Sequence, residues 1–261
     1  MKCKCGTKPL PYMLVPKQKS KDRRNSFTEG DKYKALSSNL GKAENKSLYY
    51  KAEHFKDLLL MVEKDNKLHI YFTAENEYLS ILFGIYKGKT EKYYRIDYNI
   101  GVMEVKHDNA VSLTKAYRDN KMSILNRYKN PKNVSDTVCI THDFIHVMEL
   151  IIEMDCQAPT AVVAYFFNYL PNEVTNPADP RYLYSMQLGV EFCFRKIIDG
   201  VEQDFYIDDC EEYSNRSTIT VAREEQIDNQ SLMFNFNNGS LCPPCKNCDD
   251  DGVLLNTDGC L

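Results

Sequence analysis

Six of the ten cysteines stand at the two ends of this 261-residue chain. Cys3 and Cys5 form a C-x-C-G, Cys242, Cys245 and Cys248 form C-P-P-C-K-N-C, and Cys260 is the penultimate residue, while residues 6–138 contain none. Closely spaced thiolates can converge on one metal ion or exchange electrons. Zinc takes four ligands in a tetrahedron, and a C-x-x-C turn gives it two sulfurs without backbone strain. Cys242 and Cys245 have that spacing, Cys245 and Cys248 repeat it, and Cys3 with Cys5 supplies another pair. Gly6 lets the backbone fold behind those two sulfurs. The expectation is a structural zinc that staples the tails through Cys3, Cys5, Cys242 and Cys245, with Cys248 or Cys260 in reserve. The same spacing also fits a disulfide staple or free thiols.

The C-P-P-C segment resembles the dithiol of thioredoxin-like oxidoreductases, which need a lowered thiol pKa at a helix N-terminus. Here Asp249, Asp250 and Asp251 follow it, and carboxylates nearby raise a thiol pKa, so redox catalysis is disfavoured. A second candidate is H-D-F-I-H at 142–146. Two histidines four residues apart on a helix share a face and can bind zinc, with the acid between them as base. His142, Asp143 and His146 therefore form the alternative reading, a zinc-dependent hydrolase. Against it, Asp is one methylene shorter than the usual Glu, and the motif falls at the helix start, where polar residues serve as caps. Asp208, Asp209, Glu211 and Glu212 with Asp249–Asp251 match no calcium loop and read as a solvated acidic edge. No Walker, dinucleotide or nucleophile-elbow signature occurs.

Charge is divided along the chain. Residues 1–50 carry twelve Lys or Arg against four acids, a net of +8, and residues 201–261 carry three against thirteen, a net of −10. The run Lys17, Lys19, Lys21, Arg23, Arg24 has no interleaved aromatics on which bases could stack, which disfavours nucleic acid. It reads as a solvated face. No apolar run approaches the ~18 residues of a membrane span, and the N-terminus lacks the apolar stretch of a secretory signal. With Met1 as the start, this predicts a cytoplasmic protein.

The positioning elements are read from periodicity. Residues 1–46 are polar and broken by Pro9, Pro11 and Pro16; PYMLV (11–15) is a candidate strand, and Ser26 and Glu29 have capping-box spacing. Phe55, Leu58, Leu59 and Val62 predict a helix over 52–64. Leu68, Ile70 and Phe72, then Leu79, Ile81, Phe83 and Ile85, alternate as two strands of a hairpin. Residues 92–98 and 100–105 extend a Tyr-rich meander. Helical spacing over 108–128 is interrupted at Asp119-Asn120. A helix over 142–155, with Thr141 as N-cap and Phe144, Val147, Met148 and Ile151 in the core, should be the most buried. The second half reads as strands at 161–169, 182–198, 201–207, 217–222 and 231–236, with Asp199-Gly200 a two-residue hairpin turn.

The resulting fold class is α+β: antiparallel meanders and hairpins with a few helices packed on one face, and termini tied together by a cysteine cluster. The division is a basic, proline-containing arm (1–46), one α+β domain (47–240) with a candidate internal boundary at 129–135, and a Cys-rich acidic tail (241–261). No set of acid, base and nucleophile converges in the sequence. The functional expectation is a non-enzymatic structural or protein-interaction protein, self-assembling through exposed strand edges, with zinc as its structural cofactor and another protein or copies of itself as partner.

Overall fold

Alternation of apolar residues becomes two antiparallel sheets in the computed structural model, which describes residues 14–128, 135–171, 186–205, 232–236 and 240–242. The first sheet is ordered β1 (Leu14–Pro16), β11 (Leu232–Phe236), β9 (Leu188–Ile198), β8 (Ala161–Asn168), β2 (Ser47–Lys51), with β10 (Val201–Asp204) also on β9. The second is ordered β12 (Ser240–Cys242), β7 (Cys139–Asp143), β3 (Lys67–Glu75), β4 (Tyr78–Lys87), β5 (Thr90–Asp97), β6 (Gly101–Val105). Mixed helix and antiparallel sheet make this an α+β protein. No helix among the described residues is long and apolar enough to cross a membrane.

The inner faces meet through aromatic rings. Phe72 lies 6.3 Å from Phe166, and Phe83 lies 6.3 Å from Phe192. Phe55 of α3 (Ala52–Leu59) stands 5.0 Å from Phe192 and 6.2 Å from Phe83. It closes the space between the sheets near β2, an edge strand of one, and β6, an edge strand of the other. The helix ends before residue 64 because Met61 and Val62 turn back on Leu58 and Leu59, yet Leu58, Leu59 and Val62 are buried as their spacing requires.

The β3–β4 hairpin turns on Asn76 and Glu77, both left-handed at φ 48° and 71°, and the β9–β10 hairpin on Asp199 and Gly200 at 52° and 78°. Two consecutive positive φ values give the turn twist that matches paired strands. The expected break at Asp119-Asn120 is a π-helical segment, Tyr117–Met122, between α4 (His107–Ala116) and α5 (Ser123–Leu125).

Three expectations need correction. The basic segment is not simply solvated: α1 (Lys17–Thr28) and α2 (Asp31–Leu40) bury Ser20, Arg23, Phe27, Lys32, Tyr33 and Leu36. Helices do not share one face, since α1 lies on β8 while α3 contacts β2, β5, β6 and β8. The helix placed at 142 starts at Phe144 as α6 (Phe144–Gln157), preceded directly by β7, with Asp143 rather than Thr141 at the N-cap position. Its core residues are Val147, Leu150, Ile151 and Met154; Phe144 and Met148 are partly buried against that core. The strand expected at 217–222 lies outside the described residues, as do 129–134 and most of the 171–180 loop.

Two ion pairs tie the helices to the sheets. Lys121 pairs with Glu44, whose carboxylate also accepts the backbone N–H of Leu79 at 2.7 Å and of Asn45 at 2.9 Å. Lys32 of α2 pairs with Asp136, which accepts the N–H of Leu188 at 2.6 Å. Buried charges persist in folded proteins when paired and hydrogen-bonded in this way.

Candidate functional site

Of the six terminal cysteines, Cys3, Cys5, Cys245, Cys248 and Cys260 lie outside the described residues, and the backbone of Cys242 sits in β12 opposite Cys139 of β7. Strand β1 runs antiparallel to β11, with Leu14 opposite Phe234 and Pro16 opposite Leu232. Backbone entering β1 and backbone leaving β11 therefore depart from the same end of the pair. Cys139 and Cys193 are buried thiols, and Cys156, near the end of α6, is disulfide-bonded.

The H-D-x-x-H segment does not present a metal-binding helix face. His142 and Asp143 belong to the strand and only His146 to the helix. Burial, with His146 nearby, pushes the His142 pKa down to about 3. Among the described residues no three His, Cys, Asp or Glu side chains converge as a metal site.

A polar constellation that periodicity did not reveal lies on the second sheet. Register sets His69 of β3 opposite Gly84 of β4, and Gly84 opposite Tyr93 of β5. Into the space left by the missing Gly84 side chain comes the carboxylate of Glu91. It accepts the Tyr71 hydroxyl at 3.0 and 3.1 Å and the Tyr93 hydroxyl at 3.0 Å, and it lies 2.6 Å from His69 Nδ1. An open groove of about 330 Å³ reaches Glu91 and Tyr93 between Lys89, Glu104 and His107.

The chemistry available there is limited. Burial pushes the Tyr71 phenol far up, with Cys139 and Glu91 adding to the effect; burial and then Glu91 do the same to Tyr93. The Cys139 thiol is likewise raised by burial first. Protonated phenols and a protonated thiol are poor nucleophiles and bases near neutral pH. The constellation is a carboxylate held by donors inside the fold. A period-two repeat, His69-x-Tyr71 and Glu91-x-Tyr93, was its only trace in the sequence.

The chain matches no family model, no curated protein and no solved structure. The site must therefore be judged on its own chemistry.

The outer surface offers a different feature. Tyr49 on edge strand β2 lies 5.7 Å, ring to ring, from Tyr98 in the β5–β6 turn, and Lys51 Nζ stands 5.1 Å over Tyr98. The Tyr49 hydroxyl donates to Glu202 at 2.6 Å, and burial followed by that bond pushes its pKa up to about 12. Glu202 stands opposite Ile197 in the β9–β10 hairpin. Along this Glu202–Tyr49–Tyr98 line, Ile197 opposite Glu202 is 57% exposed, Tyr98 49%, and Ile100 in the same turn 71%. Asp97 fixes the turn that presents Tyr98 and Ile100 by accepting the N–H of Asn99 at 2.8 Å and of Ile100 at 2.9 Å, bonds that lower its pKa.

Proposed function

We propose that the protein works by binding protein, copies of itself included, and not by catalysis. The observation that carries this is the exposed group of Tyr49, Tyr98, Ile100 and Ile197, drawn from both sheets, with Tyr49 bonded to Glu202 and the turn bearing Tyr98 and Ile100 held by Asp97. Single exposed apolar residues are ordinary, whereas a group of them around aromatic anchors marks an interaction surface. Strands β2 and β6 beside it are sheet edges, and edges pair readily with another chain. The experiment is light scattering on the full chain from about 1 to 100 micromolar, at low and high salt. The expected result is a mass that rises with concentration and falls for Ile100→Asp with Ile197→Asp. A monomer under every condition would remove self-assembly.

A zinc staple of Cys3, Cys5, Cys242 and Cys245, with Cys248 and Cys260 in reserve, belongs to the same proposal. Its support is that the backbone enters β1 and leaves β11 at the same end of the pair. Elemental analysis should give one zinc per chain that is lost on Cys242→Ser and kept on His142→Ala. The reverse pattern would favour the hydrolase reading. A cytoplasmic setting is also proposed, and the disulfide at Cys156 bears against it, because thiols there are kept reduced.

A further inference from the structure

Helix α1, KQKSKDRRNSFT, contains a single apolar residue, Phe27. A helix of this composition has no apolar stripe with which to hold itself against a sheet. Phe27 is buried at the C-terminal end against Tyr33 and Phe166, and along the rest of the helix the grip is made by two guanidinium groups. Tyr165 and Phe167 of β8, and Tyr169 just beyond it, occupy alternate positions, so the first two stand on the outer face of the first sheet. The Arg24 guanidinium carbon sits 3.6 Å over the Tyr165 ring, and that of Arg23 lies 5.3 and 5.2 Å over Phe167 and Tyr169.

Acceptors complete the seat. Arg24 Nε donates to Glu191, Nη1 to Asp204 at 3.0 Å and Nη2 to Cys193 Sγ at 2.7 Å. Glu191 also accepts the Ser20 hydroxyl at 2.6 Å, and Asp204 the Tyr165 hydroxyl at 3.0 Å. Burial works against the Arg24 charge, but Cys193, Glu191 and Asp204 outweigh it and the pKa stands above its ordinary value. A planar cation stacked on an aromatic face and forked onto carboxylates is arginine recognition, which lysine cannot reproduce.

Nothing in these contacts requires the arginines to come from the same chain. Helix α2 is anchored separately by buried Tyr33 and Leu36 and by the Lys32–Asp136 pair, so the chain stays fixed beyond Gly30 when α1 lifts together with β1, which runs into it without a loop. We propose that the outer face of β8, β9 and β10 is a receptor for an Arg-Arg helix, filled within one chain by its own α1 and between chains by α1 of a second copy. The inference shares with the proposed function only the association of copies, and it uses a different surface.

The test adds a fluorescent peptide of residues 14–29 to the full chain carrying Arg23→Ala and Arg24→Ala, and follows anisotropy. The opened chain should bind the peptide at least about tenfold more tightly than wild type does. Asp204→Asn in that opened chain should reduce binding by about tenfold, and labelled wild-type chain should bind in place of the peptide. Because the double variant could unfold, Arg24→Lys serves as a milder opening, keeping the charge but losing the fork. No peptide binding to either variant, or equal binding of a peptide with both arginines replaced by alanine, overturns the proposal. Neither result depends on the Tyr98 surface, so each reading can fail alone.

Discussion

Gly84 is the residue on which the Glu91 constellation depends. A Cβ built there would meet Glu91 Oε1 at 2.3 Å and Tyr71 Cε2 at 2.8 Å, closer than packed atoms approach. Gly84→Ala should therefore destabilise the fold by about 1–3 kcal/mol, the usual cost of overpacking. Urea unfolding measures it, and an unchanged midpoint would mean that the carboxylate steps aside freely. His142 gives a second prediction at this scale. It is buried, with a pKa near 3 in the folded chain against about 6.5 unfolded. Between these values the unfolded chain binds a proton that the folded chain does not, so stability falls as pH drops from about 6.5 toward 3, by at most ~1.4 kcal/mol per unit. His142→Gln should flatten that part of the profile; parallel profiles for the two proteins would contradict the assignment. Neither site could be read from the sequence. His69, Gly84 and Tyr93 become neighbours only when register is known, and the burial of His142 follows from a strand that periodicity did not show.

At the scale of elements, apolar alternation and turn residues predicted the β3–β4 and β9–β10 hairpins, because both signals act locally. The start of α6 was misplaced for a local reason too. Strand β7 runs into the helix at Asp143 with no loop between, so helical spacing and strand spacing overlap in one stretch. Helix α1 was hidden because its buried face is largely polar, and a partner far away in sequence, Glu191 for Arg24, makes that burial tolerable. The corrected α6 separates two methionine-sized truncations. Leu150 is fully buried, and Leu150→Ala should cost about 2–5 kcal/mol. Met148 is only partly buried, and Met148→Ala should cost clearly less, about 1 kcal/mol. Equal losses in thermal or denaturant unfolding would place Met148 in the core after all.

At the scale of the molecule, two sheets face each other across a layer of phenylalanines, with α3 between their edges and α1 outside. Polar groups in this arrangement are mostly committed to holding it together: Glu44, Glu91, Asp136 and Glu191 each accept several bonds inside the fold. The surface that remains for a partner joins the β5–β6 turn to the β9–β10 hairpin through Tyr49. Amide hydrogen exchange of the full chain, dilute and concentrated, tests this most directly. Slower exchange on concentration should appear in residues 97–101 and 197–202. Slowing confined to other segments, or identical exchange at both concentrations, would contradict the account.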